Sequence, residues 1–293
     1  MNHFEPSQHG GPVSVGVLGG GRMGAGIAHA FCAAGAEVVV LERTADAGEL
    51  ARQRIVDSLR RSADRDPVGE PWENAARRLR IGTDYSDFAD CALVVEAVPE
   101  DLQLKSAALA AVEGHLAAEA MLATNTSSLS IGQLARGLRR PERFCGLHFF
   151  NPVPVSTLVE VVLPHGADLQ LEAEARGWVG MLGKTAVVVR DSPGFATSRL
   201  GVLLALEAMR MLEEGVAAPE DIDAAMVQGY RHATGPLRTT DLVGLDVRLG
   251  IAEYLQATLG DRFAPPQVLR EKVARGELGR KSGKGFYDWG SHG

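Results

Sequence analysis

The sequence predicts an α/β protein in which a doubly wound, mainly parallel sheet is followed by a smaller all-α domain. Three observations carry that expectation. From Val13 to about Arg190, short β-branched runs alternate with alanine-rich segments of helical spacing. A glycine turn, Gly19-Gly20-Gly21-Arg22-Met23-Gly24, follows directly on the first of these runs. At Asp191-Ser192-Pro193-Gly194 the strand-like runs stop, and only helical periodicity continues. Near-continuous apolar strands separated by helices require a sheet covered on both faces. The expected division is therefore residues 1–190 and residues 191–293.

The strand-like runs, in order, are Val13–Leu18, Val38–Leu41, Leu79–Ile81, Leu93–Val95, Met121–Ala123, Phe144–Leu147, Leu158–Val162 and Ala186–Val189. The last few follow one another with little helical sequence between them, which predicts antiparallel additions at one edge. Asp64–Trp72 reads as a loop between the second and third strands. In the second half, Gly201–Glu214 has helical spacing, and Pro219-Glu220-Asp221-Ile222 reads as a helix start, with acids placed for the N-terminal dipole. Thr239–Leu259 and Pro266–Ala274 complete the helical module. A helical unit this small is expected to finish its core against a second copy, giving a homodimer.

Composition narrows the function classes. The net charge of −7 and pI of about 5.7 argue against nucleic-acid or anionic-membrane partners. No apolar run approaches the roughly 20 residues of a membrane span, and residues 1–12 lack the basic start and apolar run of a secretion signal. Cys32, Cys91 and Cys145 are widely spaced in apolar stretches. They read as buried, reduced thiols of a cytoplasmic protein, not as a disulfide frame or a metal site. Lysine occurs only at Lys105, Lys184, Lys272, Lys281 and Lys284, an arginine bias that suggests a GC-rich bacterial genome.

Gly19-x-Gly21-x-x-Gly24 sits between a strand and the helix Ala25–Ala34, and Gly35 closes that helix. The first glycine allows the tight turn, the second admits a pyrophosphate, and the third lets helix and strand approach. Arg22 and Met23 complete the turn, and the N–H groups at the helix start hold phosphates. Glu42 follows the second strand, where a carboxylate accepts both ribose hydroxyls and repels a 2′-phosphate. This is a Rossmann-type site with NAD as the expected cofactor.

The segment Ala123–Val162 carries the chemistry. It holds Asn125-Thr126-Ser127-Ser128, then Gly146-Leu147-His148-Phe149-Phe150-Asn151-Pro152-Val153-Pro154, then Leu158-Val159-Glu160-Val161. His148 ends an apolar strand, where such a sheet places its ligand crevice, and Glu160 lies on the next run. A carboxylate paired to an imidazole fixes its tautomer and supports the imidazolium, producing a general base near neutral pH. Ser127 supplies a short hydroxyl from another strand end.

These strings resemble the 3-hydroxyacyl-CoA dehydrogenase family over nearly the whole chain. The likeness extends through Val94-Val95-Glu96-Ala97-Val98-Pro99-Glu100-Asp101, Asp191-Ser192-Pro193-Gly194-Phe195, Asp241-Leu242-Val243-Gly244-Leu245-Asp246 and Gly285-Phe286-Tyr287. The resemblance implies NAD-dependent oxidation of an L-3-hydroxyacyl thioester to the 3-oxoacyl thioester, or the reverse. It implies His148 as base, Glu160 as its support, and Ser127 as a contact to substrate oxygen and nicotinamide. Glu100, Lys105, Asn151 and Lys281 fall on dinucleotide-contacting positions, Ser58 on a CoA-contacting one, and Arg65 where the family has a CoA-binding lysine.

The chain departs from the family pattern at Ser198, where asparagine is usual after the Pro-Gly-Phe turn. It also has Ala233-Thr234 in place of Pro-Met, and Ser156-Thr157 where methionine and a basic residue are usual. Small polar groups in place of larger ones predict a short or polar acyl group. Coenzyme A is the expected carrier; an acyl carrier protein or a free hydroxy acid are the alternatives.

Overall fold

The computed structural model describes residues 13–65 and 70–290. Residues 1–12, on which the absence of a leader was expected, and part of the Asp64–Trp72 loop lie outside them. The chain divides into two compact units, residues 1–191 and 192–293.

The first unit is built on one eight-stranded sheet. Its strands are β1 (Ser14–Leu18), β2 (Glu37–Leu41), β3 (Leu79–Gly82), β4 (Leu93–Glu96), β5 (Met121–Thr124), β6 (Phe144–Phe149), β7 (Leu158–Leu163) and β8 (Thr185–Arg190). Their order is β3-β2-β1-β4-β5-β6-β7-β8. The first six are parallel, β7 runs antiparallel to β6, and β8 is parallel to β7. The edge reversal expected from the closely spaced last runs is thus present. Helices α1 (Arg22–Ala33), α2 (Ala45–Ala63), α3 (Trp72–Arg77), α4 (Leu102–Glu113), α5 (Ile131–Ala135) and α6 (Leu169–Met181) accompany the sheet. Trp72, placed in the loop by the sequence, instead opens α3 after Pro71. Pro71 lacks an N–H and suits the position before a helix.

Period-two alternation along the strands separates two faces. Val95, Ala123, Cys145, Leu147 and Phe149 join one core with α1, α2 and α6. On the other face of β6, a Cβ on Gly146 would crowd Ile131 of α5 and Val162 of β7 at 2.9 Å. His148, two residues beyond Gly146, shares that second face. The three cysteines are free and buried, and desolvation pushes the Cys32 and Cys145 thiols up to about 12.

The division falls one residue beyond the turn onset at 191. Asp191 stays with the first unit because its carboxylate accepts Ser130 Oγ at 2.7 Å and Gly132 N at 2.8 Å.

The second unit contains α7 (Thr197–Glu213), α8 (Pro219–Tyr230), α9 (Pro236–Val243), α10 (Leu245–Leu259) and α11 (Gln267–Ala274) around one apolar core. The single helix expected over Thr239–Leu259 is two. Gly244, at φ +108°, breaks it into α9 and α10, a conformation a side chain would resist. Two buried carboxylates tie the module together. Asp241 accepts from Phe286 N, Tyr287 N and Trp289 Nε1, while Asp223 accepts from Leu237 N, Arg238 N and the Tyr287 hydroxyl.

Candidate active site

Strand β1 delivers the chain to Gly19, whose φ of +94° turns it toward α1. The Gly19 N–H donates to Leu41 O at 2.9 Å and so ties the turn to the end of β2. A Cβ on Gly24 would overlap the Gly19 carbonyl oxygen, whereas at Gly21 nothing lies within 4 Å of where one would stand. Gly24 thus serves close packing, and Gly21 leaves the backbone bare. Helix α1 begins with no side-chain cap, so its first N–H groups stay open to an anion. These features fit a dinucleotide pyrophosphate. Glu42, just past β2, accepts the Gly20 N–H at 2.6 Å through Oε1 and braces the turn. Arg54 of α2, which sequence reasoning missed, donates to Gly20 O at 3.3 Å. Its only sequence signal was one arginine among many.

A buried polar floor lies at the carboxyl ends of β4 and β5. Lys105, 1% exposed, donates to Glu96 Oε1 at 2.7 Å and to Val98 O at 3.1 Å, and stands 3.5 Å from Glu100 Oε2. Glu96 is fully buried and also accepts from Thr124 Oγ1 and Val98 N, each at 2.6 Å. A buried ion pair persists only when its remaining hydrogen-bonding capacity is met, and here backbone and hydroxyl groups meet it. Glu100 Oε1 in turn accepts Thr126 Oγ1 at 2.5 Å, Ser127 N at 2.9 Å and Ser128 N at 3.2 Å. The Lys105 ammonium is therefore sequestered beneath the loop, and Glu100 shapes the Ser127 turn. Sequence reasoning missed Glu96 and Thr124, although a glutamate closing an apolar β-branched run was itself a signal.

His148 and Glu160 face each other directly across the antiparallel β6–β7 pair. Nδ1 of His148 lies 2.8 Å from Glu160 Oε2. His148 is 6% exposed and Glu160 fully buried. A fully buried carboxylate this close draws the ring proton onto Nδ1, which puts the acceptor lone pair on Nε2. The Phe150 ring sits 4.5 Å from the imidazole, centroid to centroid. Asn125 Oδ1 accepts Phe149 N at 2.8 Å and so clips the Ser127 segment to the end of β6. Ser127 and His148 thereby stand on the carboxyl ends of neighbouring parallel strands.

A cleft of about 490 Å³ opens between the glycine turn, α2 and the 151–154 loop, with Gly21, Arg22, Arg54, Ser58, Arg61 and Asn151 in its lining. The Ser58 hydroxyl is 2.8 Å from His29 Nδ1. Burial, and then the nearby Lys184, Arg65 and Arg61 cations, hold His29 down to about 4. Arg65 is exposed, donates to Arg61 O at 3.1 Å and is not among the cleft-lining residues. Lys184, also missed, donates to Val153 O at 2.8 Å and to Ser156 O, and so pins the loop that carries Asn151.

Two of the expected residues belong to the second unit. Ser198 is half-buried in the first turn of α7. Lys281 stands 2.6 Å from the Asp246 carboxylate and is 47% exposed. The first unit thus brings together the glycine turn, Met23, Glu42, Glu100, Ser127, His148, Asn151 and Glu160. Among the described residues no group of three acidic, histidine or cysteine side chains is placed to hold a metal ion.

Comparison with known proteins agrees in both units. The family model described as 3-hydroxyacyl-CoA dehydrogenase, NAD binding domain, matches residues 14–192. The corresponding C-terminal domain model matches residues 194–289. The chain is 42% identical over 279 residues to 3-hydroxybutyryl-CoA dehydrogenase of Mycobacterium tuberculosis, covering 94% of this chain and 98% of that one. It is 40% identical to 3-hydroxyadipyl-CoA dehydrogenase of Escherichia coli, covering 94% of this chain and 59% of that protein. The crystal structure of (S)-3-hydroxybutyryl-CoA dehydrogenase from Ralstonia eutropha superposes with a TM-score of 0.91 at 36% identity, covering 96% of this chain and all of that one.

Proposed function

Because the chain belongs to the 3-hydroxyacyl-CoA dehydrogenase family, we propose that it interconverts an L-3-hydroxyacyl thioester and the 3-oxoacyl thioester with NAD. The observation that carries this reading is the His148–Glu160 pair at 2.8 Å, set on the strand ends of an NAD-binding unit. NAD, when bound, accepts the hydride from the substrate's C3. His148 Nε2 takes the hydroxyl proton, and Glu160 holds the ring and supports the positive charge it gains. Ser127, fixed by Glu100 through its backbone N–H, donates to the substrate oxygen.

Glu42 offers its second carboxylate oxygen to the adenosine ribose, and Asn151 and Lys281 contact the dinucleotide. Lys105, with its ammonium sequestered, acts on the cofactor by holding Glu100 and the 97–101 loop. The cleft beside Ser58, Arg54 and Arg61 takes the CoA portion, and Arg65 draws its phosphates electrostatically from the rim. Ser198, in the asparagine's place, faces the acyl group. Coenzyme A is the carrier favoured by the names of the relatives.

The second unit is also the dimerisation half of a homodimer. Leu200 and Leu203 of α7, Leu242 and Val243 of α9, and Val247 of α10 are exposed apolar side chains on helices that pack on one another. Three buried, unpaired thiols accord with a cytoplasmic enzyme. No helix among the described residues is long and apolar enough to cross a membrane.

The test follows NADH absorbance with 3-hydroxybutyryl-CoA as substrate. Wild type should turn it over, and His148→Ala should lose about 10²–10⁴-fold in kcat while still binding NAD. Unchanged turnover in His148→Ala would sink the base assignment.

A further inference from the structure

In an open α/β sheet a dinucleotide binds where the strand order reverses, outside the carboxyl ends of the strands. In the first unit that reversal falls between β1 and β4, and the residues after β4 lie along the glycine turn. Ala97 N donates to Leu18 O at 2.8 Å, and a Cβ on Gly19 would stand 3.1 Å from Ala97 O. Val98 follows, and a buried ion pair grips both of its backbone groups. Val98 N donates to Glu96 Oε1 at 2.6 Å, and Val98 O accepts from Lys105 Nζ at 3.1 Å. Lys105 Nζ also donates to Glu96 Oε1 at 2.7 Å, which closes the clamp.

The clamp is anchored at one end and passes its geometry on at the other. The second oxygen of Glu96 accepts Thr124 Oγ1 at 2.6 Å, which ties the carboxylate to the end of β5. Glu96 and Thr124 are fully buried, and Lys105 is 1% exposed. From Lys105 the contacts run to Glu100 Oε2 at 3.5 Å, and from Glu100 Oε1 to Thr126 Oγ1, Ser127 N and Ser128 N. The wall beside the glycine turn and the Ser127 turn thus hang on one ion pair, all within the first unit. Apolar residues of similar volume often hold a core as well or better than a buried ion pair. Packing alone therefore does not call for Glu96 and Lys105, whereas fixing the direction of a backbone N–H and C=O does.

We propose that Glu96 is a positioning residue for the reaction: through Lys105 it sets the cofactor wall at 97–98 and the Ser127 hydroxyl together, so that neither is placed independently. The proposal rests on the reading of Ser127 as the contact to the substrate oxygen. Glu96 lies beneath the reacting groups and acts only by where it holds them. Such placement matters to rate, because a misplacement of about 1 Å caused by a remote change can lower it about 10²-fold.

The experiment measures NAD affinity by calorimetric titration, the thermal midpoint, and kcat at saturating NAD with 3-hydroxybutyryl-CoA. The variants are Glu96→Gln, Lys105→Met, the two combined, Thr124→Val and Thr124→Ser. Each single change at the ion pair leaves a buried charge without its partner and should lower the midpoint. The combined variant removes both charges and should regain the midpoint. Its Kd for NAD should nevertheless stay about tenfold above wild type, and its kcat about 10²-fold below. Thr124→Val, which keeps the shape and loses the hydroxyl, should move both readouts the same way by a smaller factor, and Thr124→Ser should restore them. Recovery of NAD affinity and kcat along with stability in the combined variant would make the pair purely structural and overturn the proposal. A raised Kd for NAD with kcat intact at saturation would overturn the coupling to Ser127. Should a single variant fail to fold, the combined variant and the two Thr124 variants decide. No turnover of 3-hydroxybutyryl-CoA by wild type would defeat the thioester reading, and the NAD affinity of the combined variant would then decide the clamp by itself.

Discussion

Among single residues, Glu160 shows how a side chain with no direct reach to substrate acts on the chemistry. It is fully buried and opposite His148, so its carboxylate sets both the tautomer and the stability of the imidazolium. Replacement by glutamine keeps shape but removes the charge and permits the wrong ring proton. Glu160→Gln should lower kcat by about 10²-fold or more, with the KM for NAD little changed. If kcat is unchanged and only thermal stability falls, the pair is structural. The histidine and glutamate were legible in the sequence because each sits in an apolar run, where a polar residue calls for a reason. Glu96 and Lys105 were harder. They are nine residues apart, and only the return of α4 onto the end of β4 joins them.

At the scale of elements, the α1–α2 pairing buries His29 against Ser58 and beneath the cations of α2 and Lys184. Its folded value of about 4 lies below the ordinary 6.5. Between these two values the unfolded chain binds a proton that the folded chain refuses. Stability is therefore intact above about pH 6.5 and declines as pH falls toward 4, by about 3 kcal/mol in all from this group. Denaturant unfolding at pH 7.5 and pH 5 should show wild type losing about 2 kcal/mol more than His29→Asn. Parallel losses would mean that the His29 site does not exclude the proton.

The same scale shows where periodicity misleads. Apolar spacing runs unbroken through Thr239–Leu259, yet Gly244 at φ +108° separates two helices. A glycine in a helical pattern is tolerated in many helices, so spacing alone does not register the break. The β6–β7 reversal at the sheet edge was more readable, since the few residues between Phe149 and Leu158 leave no room for a parallel crossover.

For the whole molecule, the exposed leucines and valines of α7, α9 and α10 predict association. Size-exclusion chromatography with light scattering should return twice the chain mass of 31.1 kDa. Leu200→Asp and Val243→Asp together should shift it toward the monomer, and a monomeric wild type would dismiss the homodimer. The sequence by itself determined the sheet-forming half, the helical half, the glycine turn and the candidate base with its carboxylate. Those are local or periodic properties, and period two, period 3.6 and a strand–turn–helix order need no knowledge of distant neighbours. Only the tertiary structure decided that Lys105 is locked to Glu96 and that Lys184 pins the Asn151 loop. Burial and pairing depend on which elements return to which, and a charge read along the chain carries no sign of whether water or an anion will meet it.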